Sequence, residues 1–161
     1  MNKIEKTTVC IIGAGPSGAA TSIQLSKLKI PHYIIDKSTF PRDKTCGDGL
    51  ILYAYKAMKF LGDDLFANFL KHPKFIHSKK ISLHLNNTSK IVFKESDDRN
   101  MIISYAKRID FDQFLVSHLS DVYANQQFGS GVKEIREVPE GVFIKLKNGK
   151  EIISQFVVGA D

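Results

Sequence analysis

Tryptophan is absent from the 161 residues, cysteine occurs twice and proline five times. Two thiols, Cys10 and Cys46, are too few for a disulfide framework or for a zinc site of their own. His32, His72, His77, His84 and His118 show no metal-ligand spacing, so no metal site is expected. No apolar run approaches the ~18 residues needed to span a bilayer, and the first run breaks at Gly13 before it could form a signal-peptide core. The default compartment is therefore the cytoplasm. Internal repeats and low-complexity linkers are missing as well. With 43% hydrophobic and 25% charged residues, disorder and collagen-like structure are excluded.

The formal charge of +6 suits an anionic ligand or an acidic membrane surface. The lysines are scattered, however, and the densest group, Lys79-Lys80, is too short for a nucleic-acid stripe. No nucleic-acid partner is expected. Eleven phenylalanines most simply supply core.

What is present is a sequence of local signals in a telling order. Thr8 to Ile12 reads as a buried strand and Gly13 to Gly18 as a glycine-rich turn. Pro16 to Leu28 reads as a helix opened by proline, and His32 to Ile35 as a second strand ending at Asp36. Ser38 to Leu50 reads as a loop, followed by helices over Ile51–Leu61 and Asp64–Leu70. A hairpin over Lys80–Leu85 and Lys90–Lys94 turns at Asn86-Asn87, with Met101–Tyr105 as a third strand of that sheet. Asp110 is expected to cap a helix from Phe111 to Leu119. Strands then follow at Gln126–Phe128, Val132–Glu137, Val142–Leu146, Glu151–Ser154 and Phe156–Val158. The pattern is α/β, a Rossmann-like βαβ unit with a parallel sheet and a β-meander.

Gly13-Ala14-Gly15-Pro16-Ser17-Gly18 carries the chemistry. Gly13 makes the tight turn, Gly15 lets the backbone approach a pyrophosphate, and Gly18 lets the helix pack closely on the strand. The helix start offers N–H groups and a positive dipole end to phosphate. Asp36, 23 residues after Gly13, ends the second strand where a carboxylate can accept from ribose hydroxyls. Dinucleotide binding follows from strand, turn, helix, strand and acid in that order. Ser22 stands at a helix position usually small and apolar, a misfit that a hydroxyl bonded back to the preceding turn could accommodate.

The segment Val9 to Gly18 resembles the start of the para-hydroxybenzoate hydroxylase-like flavoproteins. The loop Phe40-Pro41-Arg42-Asp43-Lys44-Thr45-Cys46-Gly47-Asp48-Gly49-Leu50 resembles that of the geranylgeranyl reductase group within them. Arg108, Phe111-Asp112 and Leu115 match that superfamily's R-x-x-F-D-x-x-L segment. Val157-Val158-Gly159-Ala160-Asp161 is similar to the opening of its second flavin motif. The resemblance implies FAD, with NAD(P)H a candidate electron donor of the full-length enzyme. It places Gly13, Gly15, Pro16, Ser17 and Gly18 around the pyrophosphate, Asp36 on the adenosine ribose and Lys37 beside the adenosine. Arg108 would reach the cofactor from the helix start, Val132 would meet the adenine and Asp161 the ribityl chain. Arg42 is a candidate for the cofactor phosphates, and Cys46 a candidate catalytic or substrate-contacting thiol.

The function so implied is reduction of isoprenoid-like carbon–carbon double bonds, with a prenyl-lipid or small-molecule substrate and peripheral membrane contact compatible with the charge. A flavin-dependent monooxygenase or halogenase is the alternative. From a different class, a non-catalytic dinucleotide-binding fragment is the third reading. Residues 1–161 are expected to be the N-terminal part of an FAD-binding domain, with 71–106 a partial substrate-domain-like β insertion. The rest of the substrate domain is expected to be absent, and this chain alone inactive.

Overall fold

The structure, a computed structural model, describes residues 4–85, 89–94 and 103–160. Strand β1 (Glu5–Ile12) leads through a turn into helix α1 (Pro16–Lys27) and strand β2 (His32–Asp36). Further along lie β8 (Ala124–Phe128), β9 (Val132–Val138), β10 (Gly141–Leu146) and β11 (Glu151–Gly159). These strands form one mixed sheet in the order β8-β2-β1-β11-β10-β9. β8, β2, β1 and β11 run parallel, while β10 pairs antiparallel with both β11 and β9. The α/β class read from the sequence is the one observed.

Alternation along β1 explains why the sheet is covered on both sides. Ile11 lies beside the start of α1, while Cys10 points the other way. There Cys10, Tyr33 and Ile35 share a core with Ile144, Leu146 and Ile152 from the meander. Every residue of β2 is buried, as expected of a parallel strand covered on both faces.

Contacts divide the chain into two units, residues 1–43 with 112–161, and residues 44–111. The sheet and α1 belong to the first. The second holds β3 (Gly49–Ile51), α2 (Leu52–Leu61), α3 (Asp63–Lys71), β4 (Ile76–Ser78), β5 (Lys80–His84), β6 (Lys90–Lys94) and β7 (Ile103–Tyr105). Helix α4 (Arg108–Val116) spans the boundary in sequence. Fully buried Phe69 organises the second unit, with Tyr55, Phe75 and Phe111 tilted or edge-on around it. Among the described residues, no helix is long and apolar enough to cross a membrane.

Several local expectations need correction. The hairpin β5–β6 forms, but β7 is not its third strand. Instead β7 is the centre of a separate sheet, β3-β7-β4, in which Tyr105 pairs with both Gly49 and Ile76. The strands β3 and β4 are three residues long, too short to show periodicity in the sequence. The hairpin tip Asn86-Asn87 lies outside the described residues. Asp110 does not cap α4, because the helix opens at Arg108, and its carboxylate pairs with Lys74 instead. The last two strands are one. Ser154-Gln155 looks like a polar interruption, yet β11 stays paired to β1 from Ile152 to Gly159, and the Ser154 hydroxyl is satisfied by the Phe156 carbonyl at 2.7 Å.

Candidate functional site

Gly13 has φ 105°, a conformation that favours glycine, and its amide donates to the Ile35 carbonyl at 2.8 Å. That bond ties the turn to the end of β2. Gly18 sits so close beneath the turn that a Cβ there would lie 1.8 Å from the Gly13 carbonyl oxygen. Gly15 is the N-cap of α1 and offers no side-chain cap, Pro16 occupies the first helical position, and no acid lies in the first turn. The amides of Ser17 and Gly18 thus have no acceptor within the helix and face a dipole end with no internal anion to balance it. An external phosphate fits this cradle.

Asp36 is 8% exposed and doubly anchored. Its Oδ2 accepts from the Ala14 amide and its Oδ1 from the Ser38 amide, each at 2.8 Å. Each carboxylate oxygen has a second lone pair, so the group is oriented yet still able to accept from two hydroxyls. The backbone beyond it is tied in turn, since the Ser130 amide donates to the Asp36 carbonyl at 3.2 Å.

A cleft of about 200 Å³ opens here, with Ile12, Ile35 and Val132 as apolar wall and Gly13, Asp36 and Lys37 beside them. Gly131 and Lys147 complete the lining. Neither was expected as a site residue. Gly131 could have been suspected from its place just before Val132, whereas no local signal marks Lys147. The volume is below the ~300–1,000 Å³ usual for a whole ligand, and suits one end of a dinucleotide.

Arg42 does not line the cleft. Its guanidinium lies 3.4 Å from fully buried Asp112 and 5.4 Å from the centre of the Phe40 ring, so it anchors its own loop. Cys46 is exposed on the loop before β3, in the second unit, and half-buried Arg108 opens α4 in that unit. Asp161 lies outside the described residues. The preceding Ala160 donates its amide to the Ile12 carbonyl at 2.8 Å, at the end of β1.

Ser22 also departs from expectation. Its hydroxyl does not bond to the preceding turn but meets Nε2 of His32 at 2.6 Å, fully buried. His32 Nδ1 lies 2.8 Å from the Ile30 carbonyl, which can only accept, so Nδ1 carries the hydrogen and Nε2 accepts from Ser22. Burial pushes the His32 pKa below its ordinary value, outweighing the Ile30 carbonyl's opposite pull. The Cys10 thiol, buried in β1, is pushed up to about 12 by desolvation and is unreactive there.

The family model described as FAD binding domain matches residues 6–161. An uncharacterized protein of Methanosarcina barkeri is 28% identical over 162 residues, covering 100% of this chain and 38% of its own length. The chain therefore spans well under half of that curated relative. Among solved structures, p-nitrophenol 4-monooxygenase PnpA from Pseudomonas putida superposes with a TM-score of 0.83 at 14% identity, over 98% of this chain and 42% of that one. A geranylgeranyl bacteriochlorophyll reductase-like protein from Thermoplasma acidophilum gives 0.75 at 19% identity, over 99% and 40%. At these identities the structural likenesses speak for the fold.

Proposed function

The chain belongs to the FAD binding domain family, and from that premise we propose that its first unit holds the adenosine diphosphate end of FAD. We further infer that the whole protein is a flavin-dependent reductase of isoprenoid-like carbon–carbon double bonds. The observation that carries the first part is the carboxylate of Asp36, fixed by the Ala14 and Ser38 amides beside a helix start that has no side-chain cap. In this reading the Ser17 and Gly18 amides bind phosphate, Asp36 accepts from the ribose hydroxyls, and Ile12, Ile35 and Val132 keep water from the base. When bound, FAD supplies the electron transfer, and the protein's part is to bind, orient and exclude solvent.

The reductase assignment is supported by the resemblance of the Phe40–Leu50 loop and by the reductase-like protein of Thermoplasma acidophilum among the structural neighbours. Cys46, exposed on that loop, is the substrate-contacting candidate in this reading. NAD(P)H remains the candidate electron donor and a prenyl lipid the candidate substrate. A second reading, a monooxygenase or halogenase, draws equal support from the Pseudomonas putida enzyme.

FAD titration followed by flavin fluorescence tests the binding site. Wild type is expected to bind FAD, with Asp36→Ala and Gly15→Val weakening it at least tenfold; unchanged titrations would sink the site. For the activity, the reduced full-length protein is mixed anaerobically with a prenyl lipid, or aerobically with an aromatic substrate. Flavin reoxidation by the lipid without O₂ is the reductase result. Reoxidation only with O₂ and the aromatic selects the second reading.

A further inference from the structure

We infer that Lys147 is a cofactor-contacting residue, closing the base end of the cleft across Gly131 from Lys37; the inference rests on the FAD reading above. The hairpin between β10 and β11 carries Lys145, Lys147 and Lys150, and two of them are committed elsewhere. Lys145 pairs with Glu151 at 2.7 Å and Lys150 with Glu5 at 3.1 Å. Among the described residues Lys147 has no ion-pair partner, and neither does Lys37. Both line the cleft that Asp36 borders.

The backbone fixes where Lys147 stands. Its amide donates to the Gly131 carbonyl at 2.9 Å, and the next amide, of Asn148, donates to the Ser130 hydroxyl at 3.1 Å. Ser130 in turn donates its own amide to the carbonyl of Asp36. Two hydrogen bonds through Ser130 thus connect the hairpin to Asp36, with the Lys147–Gly131 bond beside them. Gly131 keeps the space between the two lysines open. A Cβ there would come within 3.1 Å of the Lys37 Cβ and 4.0 Å of the Lys147 Cε.

The side chain itself is exposed, so a long flexible cation is held at its root and loose at its tip. An adenine presents an apolar face and ring nitrogens that accept hydrogen bonds. An alkyl stem ending in an ammonium meets both needs, covering the face and donating at the edge. The ammonium also adds positive charge beside a ligand bearing two phosphates, at a cleft whose one lining carboxylate is already held by amides.

The test compares FAD, ADP and FMN, which lacks the adenosine half, by flavin fluorescence titration and by ADP displacement of bound FAD. Lys147→Ala is expected to weaken FAD and ADP about tenfold and Lys147→Glu by more. Lys147→Met, which keeps the stem, should fall between Ala and wild type. Any FMN binding should be unchanged in all three. Lys145→Ala, on the same hairpin but paired with Glu151, should titrate like wild type. Urea midpoints of the Lys147 variants are expected to match wild type, because the fold uses only the backbone of Lys147. Lys147 variants that bind FAD and ADP as wild type does, or that lose FMN equally, overturn the inference and leave the FAD site standing. A wild type that takes up no FAD overturns both.

Discussion

Replacing Gly18 by alanine places a methyl carbon 1.8 Å from the Gly13 carbonyl oxygen and 2.9 Å from its carbon. Both are backbone atoms, so no rotamer change can relieve the overlap. Contacts under 3.0 Å are essentially never seen for a real Cβ, so the start of α1 and the turn must separate by about 1.2 Å. The amides of Ser17 and Gly18 move with the helix, whereas Gly13 is held to Ile35 and Ala14 to Asp36. A displacement of that size would take the two charge-assisted hydrogen bonds proposed for phosphate out of range, each worth about 1.5–3 kcal/mol. The loss corresponds to at least about a hundredfold in FAD affinity. Overpacking costs about 1–3 kcal/mol of fold stability besides. Fluorescence titration with FAD and urea unfolding measure the two effects separately. Gly47→Ala serves as control, because nothing lies within 4 Å of a Cβ there. A Gly18→Ala protein with wild-type affinity and midpoint would refute the reasoning, since the turn and helix would then have to be further apart than described.

Four more outcomes follow from the buried groups and the two thiols. His32 has a folded-state pKa below its unfolded value, so the unfolded chain binds the proton more readily and stability rises with pH. Urea midpoints are expected to fall as pH drops below about 6.5, and His32→Gln should lose that part of the slope; an identical slope in the variant would count against it. Ser22→Ala leaves Nε2 of His32 buried without its donor and is expected to cost about 1–3 kcal/mol in the same assay. Asp112→Ala strands Arg42, 14% exposed, and should cost about 3 kcal/mol, partly restored in Arg42→Met with Asp112→Ala; full additivity of the two single changes would refute the pairing. Iodoacetamide should label exposed Cys46 in the native protein and Cys10 only after denaturation, read by intact mass; two labels on the folded protein would contradict the burial of Cys10.

Legibility differs by element for physical reasons. Strand β1, the glycine turn and α1 are marked by residues in contact with their own neighbours, so composition and spacing reveal them. The Asn148-Gly149 turn, with φ 89° at Gly149, is legible for the same reason. β3 and β4 are not, because three residues cannot display a period of two against background and their partner β7 lies far away in the chain. Asp110 reads as a cap because an acid stands before an apolar run, whereas α4 begins two residues earlier and Asp110 pairs with Lys74. The ion pair of Arg42 is likewise not legible, because a lone arginine in a polar loop shows no partner along the chain. Asp112 becomes its partner only when α4 is in place.

By itself the sequence determined that a strand, an amide-rich turn and a helix precede an acid-ended strand, and hence that a diphosphate-bearing ligand is expected, because each of those signals acts within a few residues along the chain. Tertiary structure alone decided that Gly131 and Lys147 stand beside Asp36, that Ser22 serves His32, and that Arg42 is occupied by Asp112. Those encounters depend on the order in which strands join the sheet, which local propensity does not encode.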